Sequence, residues 1–183
     1  MRIRHIRTPV LLVLSLAACL EVEMTVGADG SATGTMAWDA GTSTEAEAKT
    51  LLAAEGVTVK SVQFKEIERK TSGNKVRRAI ADIEVKKITA LSAIPLFKPL
   101  AVTIALVDPE KGTRKLTVSA KNETDTTAAT ENTDNVIKLT FPGKVAETSA
   151  KADGNAVTWT FTANDYFSKP KVDLSVVYAE AAK

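Results

Sequence analysis

The stretch Ile137-Lys138-Leu139-Thr140-Phe141-Pro142-Gly143-Lys144-Val145, followed by Ala152-Asp153-Gly154-Asn155-Ala156-Val157-Thr158-Trp159-Thr160-Phe161, carries the clearest structural signal in the 183-residue chain. Ile137, Leu139 and Phe141 recur at every second position, and Val157, Trp159 and Phe161 do the same against Thr158, Thr160 and Thr162. A period of two sends alternate side chains to opposite faces, so both segments read as strands with one face on a core and one in water. Asp153-Gly154-Asn155 is turn chemistry between strands. Pro142 has no N–H to donate and Gly143 no Cβ, which ends strand pairing and permits a sharp bend. A closing strand follows through Val172, Leu174, Val176 and Tyr178, with Tyr166 and Phe167 in the loop before it.

Toward the amino terminus the same period continues. Leu20 to Met24, with Val22 and Val26, alternates with Glu21, Glu23 and Thr25, and Ala28-Asp29-Gly30-Ser31 turns the chain into a return strand ending at Trp38. Thr44-Glu45-Ala46-Glu47 has the form of a capping box, so a helix is predicted over 45–55 with Ala48, Leu51 and Leu52 inward. Two long strands, Val57 to Arg69 and Lys75 to Val85, flank Ser72-Gly73-Asn74. In the first, Val57 and Val59 fall on odd positions, Val62 and Phe64 on even ones and Ile67 on odd again, a phase change that requires bulges and bending. In the second, Ala79, Ala81, Ile83 and Val85 share one face.

Ile88, Leu91 and Ile94 stand at helical spacing, but Pro95 and Pro99 bracket the end of the run, so no more than a short helix is expected there. Strands over Leu100 to Val107 and Arg114 to Ala120 flank the turn Asp108-Pro109-Glu110-Lys111-Gly112, and a polar loop runs from Lys121 to Asn135. The sum is an α+β fold: a curved, mainly antiparallel β-sheet of about nine strands with one or two helices packed on it.

The first residues have a different purpose. Arg2, Arg4 and Arg7 precede an apolar run from Val10 to Leu16, which reads as an export signal and is too short for a permanent span of roughly 20 apolar residues. Leu16-Ala17-Ala18-Cys19 then puts a cysteine where the mature chain would begin, an arrangement that resembles the lipobox of bacterial lipoproteins. The resemblance implies a signal peptide over 1–18, a diacylglyceryl thioether on Cys19, cleavage before it and acylation of the new amino terminus. The alternative is an ordinary cleaved signal with a chance cysteine. Two or more acyl chains hold a protein stably, at about 0.8 kcal/mol per buried CH₂. The expected location is therefore the exported side of the cell membrane or the outer membrane. Leu20 follows directly, so the domain should sit close to the lipid surface.

Removing 1–18 leaves one domain, 19–183. The 24 lysines and arginines fall to 21 against an unchanged 22 acidic residues, a balance of −1 that carries no nucleic-acid footprint. The only histidine, His5, leaves with the signal, and the only cysteine is Cys19. The mature domain thus lacks the usual neutral-pH general base, a free thiolate and the commonest zinc ligands, so no catalytic residue, metal site or cofactor is assigned. Stability must come from the core rather than from disulfides.

The quoted carboxy-terminal stretch resembles the LppM-type domain of mycobacterial lipoproteins: a Phe-Pro-Gly strand end, a Gly-Asn turn and a strand centred on Thr-Trp, preceded near the lipidated cysteine by an Asp-Gly-Ser turn like Asp29-Gly30-Ser31. The resemblance implies a curved antiparallel sheet wrapped on helices, similar to helix-grip lipid-binding folds, and an envelope role with lipid or glycolipid as ligand. It supplies no catalytic residues. Ending at Lys183, the chain lacks the carboxy-terminal membrane segment that some members carry, so a second anchor is not expected.

The expected function is that of a lipid-anchored, non-enzymatic envelope protein that binds an amphiphile in an apolar groove. Ile88, Leu91, Ile94, Leu96, Phe97 and Trp159 are the candidate ligand-binding residues. Each has a plainer reading: Trp159 as core, and Ile88 to Leu100 as packed connection rather than a lid or a membrane-dipping patch. The other function class is an envelope adaptor with a filled core that recognises a protein.

Overall fold

The computed structural model describes residues 20–69, 73–100, 103–107, 113–121, 134–162 and 171–179. The signal with Cys19, the turn 108–112, the polar loop 122–133, and Tyr166 and Phe167 lie outside the described residues. The elements are β1 (Glu21–Val26), β2 (Ala32–Asp39), α1 (Glu45–Leu52), β3 (Val57–Glu68), β4 (Lys75–Val85), two 3-10 helices (Ile88–Ala93 and Pro95–Leu100), β5 (Thr103–Val107), β6 (Thr113–Lys121), β7 (Asp134–Thr140), β8 (Val145–Thr148), β9 (Lys151–Asp153), β10 (Ala156–Thr162) and β11 (Lys171–Ala179). They form a seven-stranded sheet, β3-β4-β2-β1-β7-β10-β9, and a four-stranded sheet, β5-β6-β11-β8. Among the described residues β1 and β7 pair in parallel, and the other neighbours are antiparallel.

The expected α+β fold of mainly antiparallel strands with few helices is the one found; the described residues hold eleven strands, divided between two sheets. After β7 the Pro142-Gly143 break carries the chain out of the first sheet, and four residues (β8) pair with β11 on the edge of the second. The chain then turns back and rejoins the first sheet as β9, beside β10. Ser149 holds this corner: its N–H donates to the Ser175 carbonyl at 3.0 Å and its Oγ accepts from the Ser175 N–H at 2.9 Å. Strands of three or four residues are too short to show a period, which is why the alternation did not reveal them.

Register explains the inner face of the large sheet. Val22 lies opposite Met36 and Val26 opposite Ala32; Met36 in turn faces Ala81, and Ala32 faces Val85. On the other side of β1, Leu139 faces Val157 and Ile137 faces Trp159. The phase change in β3 is real and has one cause: the β3–β4 register shifts between Val59 and Ser61, so Lys60 is an extra residue that returns Val62 and Phe64 to the face of Val57 and Val59. Ile67, paired with Val76, stays on the opposite face.

Gly34 in the middle of β2 is needed for close approach. A Cβ there would sit 2.0 Å from the Glu23 carbonyl oxygen and 2.7 Å from Met24 Cα, so β1 and β2 approach each other only because the position is glycine. From the second sheet, Leu116, Val118, Val176 and Tyr178 join the same contiguous core, and the Tyr178 ring stacks on Phe141 with centroids 4.4 Å apart.

α1 begins as predicted. Thr44 Oγ1 accepts from the Glu47 N–H at 3.3 Å, and Glu47 Oε2 accepts from the Thr44 N–H at 2.7 Å. That backbone donor, and then the Thr44 hydroxyl, hold the Glu47 carboxyl below its ordinary range. The helix ends at Leu52 rather than 55 because Ala53 is already extended, with φ −70° and ψ 114°. Gly56, at φ +78°, serves the turn into β3 instead of capping the helix. Ala48 and Leu52 are buried as expected, whereas Leu51 is only half-buried.

Candidate functional site

The predicted apolar segment folds as two 3-10 helices separated by Ile94. Pro95 disfavours helical backbone at the residue before it, and Ile94 is accordingly extended at φ −64°, ψ 126°. The entry is tied to the β1–β2 turn: the Ile88 N–H donates to the Gly30 carbonyl at 2.8 Å, and Lys87 Nζ donates to the Asp29 carbonyl. Within that turn the Ser31 hydroxyl, and then its N–H, donate to the Asp29 carboxylate and lower its pKa. The first 3-10 helix packs on β4 and β5, the second on α1, and α1 on β3.

These contacts turn the segment into an apolar layer over the sheet. Ile88, Leu91, Ile94 and Phe97 are at most 5% exposed, and Leu96 is half-buried against them. They face the core and not solvent. Trp159 is buried too, but the fold does not bring it to this layer. It lies on β10, four strands from β4 in the sheet order, or roughly 19 Å at the usual strand spacing. Its Nε1 donates to Ser149 Oγ at 3.2 Å, so it belongs to the β8–β9 corner.

Three features of the large sheet had no local signal in the sequence. Trp38, 1% exposed at the end of β2, has an Nε1 with no hydrogen-bond partner among the described residues, a costly condition for a buried donor. Leu20, the residue after Cys19, is already inside the sheet: its N–H donates to Asn135 Oδ1 at 3.0 Å, and its carbonyl accepts from the Val136 N–H at 2.8 Å. Finally, Arg78 lies buried on the outer face of the same end. It donates to Glu21 Oε1 at 2.8 Å and approaches Asp39, which also binds Arg69. Only the register of distant strands brings these residues together.

Next to this network, Arg77 donates to the carbonyls of Gly41 and Ser43 at 3.2 and 2.7 Å, and its guanidinium lies 3.7 Å above the Phe64 ring. Among the described residues no group of three His, Cys, Asp or Glu side chains is placed to hold a metal ion. No helix of the described residues is long and apolar enough to cross a membrane, which does not bear on strands.

None of the curated proteins matches the chain significantly. Among solved structures, the NMR structure of the folded domain of Mycobacterium tuberculosis LppM is similar, with a TM-score of 0.55, 14% identity and 91% of each chain covered. At that identity the likeness shows the fold. The family model described as the LppM domain matches residues 19–166, beginning at the cysteine where the mature chain was predicted to start. The chain belongs to the LppM domain family.

Proposed function

We propose that this protein is a lipid-anchored, non-catalytic envelope module, held through acylated Cys19, that binds an amphiphile by parting the 3-10 layer from the sheet beneath it. Membership of the LppM family supports an envelope module. The observation that carries the binding reading is the construction of the layer. Ile88, Leu91, Ile94 and Phe97 are held by apolar burial and by short 3-10 turns, whose hydrogen-bond geometry is poorer than that of an α-helix. The sheet they share a core with carries small side chains, Ala32, Ala79 and Ala81, next to Gly34. The Trp38 N–H, buried without a partner in the same core, is a donor that a ligand headgroup or ester oxygen would satisfy.

Mass spectrometry of lipids that co-purify with mature protein tests this, with Trp38→Phe as the companion variant. Bound lipid that falls in Trp38→Phe while the fold survives is the expected result. Lipid-free protein from native membranes would overturn it. A second reading, an adaptor with a filled core, is favoured by the burial of the layer, where four of the six candidate ligand residues are core members of the 3-10 segment. Lipid-free protein together with one stoichiometric cross-linked partner would establish that reading.

A further inference from the structure

We infer that the fold closes its own processing site: the signal has to be cut from Cys19 before β7 pairs with β1, because that pairing withdraws Leu20 from the peptidase. The inference rests on the proposed lipidation at Cys19 with cleavage before it, and adds the order in which cleavage and folding occur.

The bond to be cut, Ala18 to Cys19, ends one Cα step, about 3.8 Å, before Leu20. Hydrolysis adds water across that bond and leaves a carboxylate on Ala18 and an amine on Cys19. A peptidase holds its substrate extended on both sides of the cut, and three residues beyond it, about 3.3 Å each, take in Cys19, Leu20 and Glu21. The folded domain does not offer that stretch. Leu20 is 5% exposed, its N–H donates to Asn135 Oδ1 at 3.0 Å, and its carbonyl accepts from the Val136 N–H at 2.8 Å. Glu21 is already in the ladder, between Ala37 of β2 and Val136 of β7. Asn135 is itself fixed: it is buried, lies opposite Phe161 of β10, and donates through Nδ2 to the Phe161 carbonyl at 3.5 Å.

The direction of these bonds sets the timing. Both backbone groups of Leu20 bond toward β7, while the β1–β2 ladder begins one residue later, at Glu21. The first hairpin therefore does not lock Leu20. The lock waits for Asn135, 115 positions further along the chain. A chain exported from its amino end passes through an interval in which β1 and β2 are present and the bond before Cys19 is still open to the peptidase. Closure of β7 ends the interval. From then on cleavage needs a local opening that breaks two hydrogen bonds and exposes the Leu20 side chain, so its rate follows the small population of the open form.

The test uses the full lipidated precursor, signal included, taken from cells whose lipoprotein signal peptidase is inhibited and then presented to that peptidase in detergent micelles. Native precursor is compared with Asn135→Ala and with Gly34→Ala, whose Cβ the β1–β2 approach has no room for. Gly34→Ala should be cut about a hundredfold faster than native or more, the combined effect of two hydrogen bonds and one buried leucine. Asn135→Ala, checked for its fold by circular dichroism, loses one bond to Leu20 and should be cut about fivefold faster than native, in step with faster exchange of the Leu20 amide. Native precursor cut as fast as Gly34→Ala overturns the inference and leaves the anchor standing. Asn135→Ala cut no faster than native, although its Leu20 amide exchanges faster, overturns it too. Precursors that carry no diacylglyceryl mass, or that are cut at another bond, overturn the proposed anchor itself, and the inference falls with it.

Discussion

The centre of the large sheet and the 3-10 layer above it share one core but are held in different ways. β1, β2 and β4 each pair with a strand on both sides, and Gly34 lets β1 and β2 approach more closely than any side chain would permit. The layer has no such ladder. Beyond the Ile88 N–H bond to the Gly30 carbonyl at its entry, it is held by the burial of a few apolar groups, each contributing about 1.5–3 kcal/mol. A floor fixed by its backbone and a cover fixed by its side chains fail differently.

The sharpest break between the two is at Gly34. Gly34→Ala drives a methyl into the Glu23 carbonyl and is expected to prevent folding or cost more than about 4 kcal/mol. Gly41→Ala, with φ +52° but nothing within 4 Å, should cost only about 1–2 kcal/mol. Urea unfolding of both variants measures the gap, and equal losses would mean that the floor is not set by close approach. In the cover, Ile94→Ala removes a side chain with 0% exposure and should cost about 2–5 kcal/mol. Amide exchange would then be expected to accelerate in residues 88–97 before it does in β1 and β2.

The two tryptophans give a finer comparison. Trp38→Phe and Trp159→Phe lose the same volume, but only Trp159 loses a hydrogen bond, to Ser149. Trp159→Phe should therefore be less stable by about 1 kcal/mol in thermal or urea unfolding. The smallest effect is at the α1 cap. The Glu47 carboxyl is held below its ordinary value in the fold, so its contribution is complete above that ordinary value and disappears as pH falls through the lowered folded one. Exchange of the first-turn amides of α1 should rise across that acid window in the native chain and stay flat in Glu47→Gln.

Much of this was legible residue by residue. The capping box at Thr44, the alternation of Ala79 to Val85 and of Val157 to Phe161, and the phase change between Val59 and Val62 are local facts whose meaning depends on a few neighbouring positions. The candidate site was only half legible. That Ile88 to Phe97 is apolar and broken by proline is visible in the chain. That it lies closed over β4, and far from Trp159, is not.

What the sequence by itself determined was the set of strands with a readable period and the helix start, since each depends on spacing along the chain. Only the tertiary structure decided the parallel pairing of β1 with β7, the passage of β8 into a second sheet, the burial of Leu20 against Asn135 and the Asp39, Arg69 and Arg78 network. These contacts join residues from 28 positions apart, Thr148 and Val176, to 115, Leu20 and Asn135. Their partners are chosen by register and by the need to satisfy buried donors, quantities that exist only once the sheet has closed.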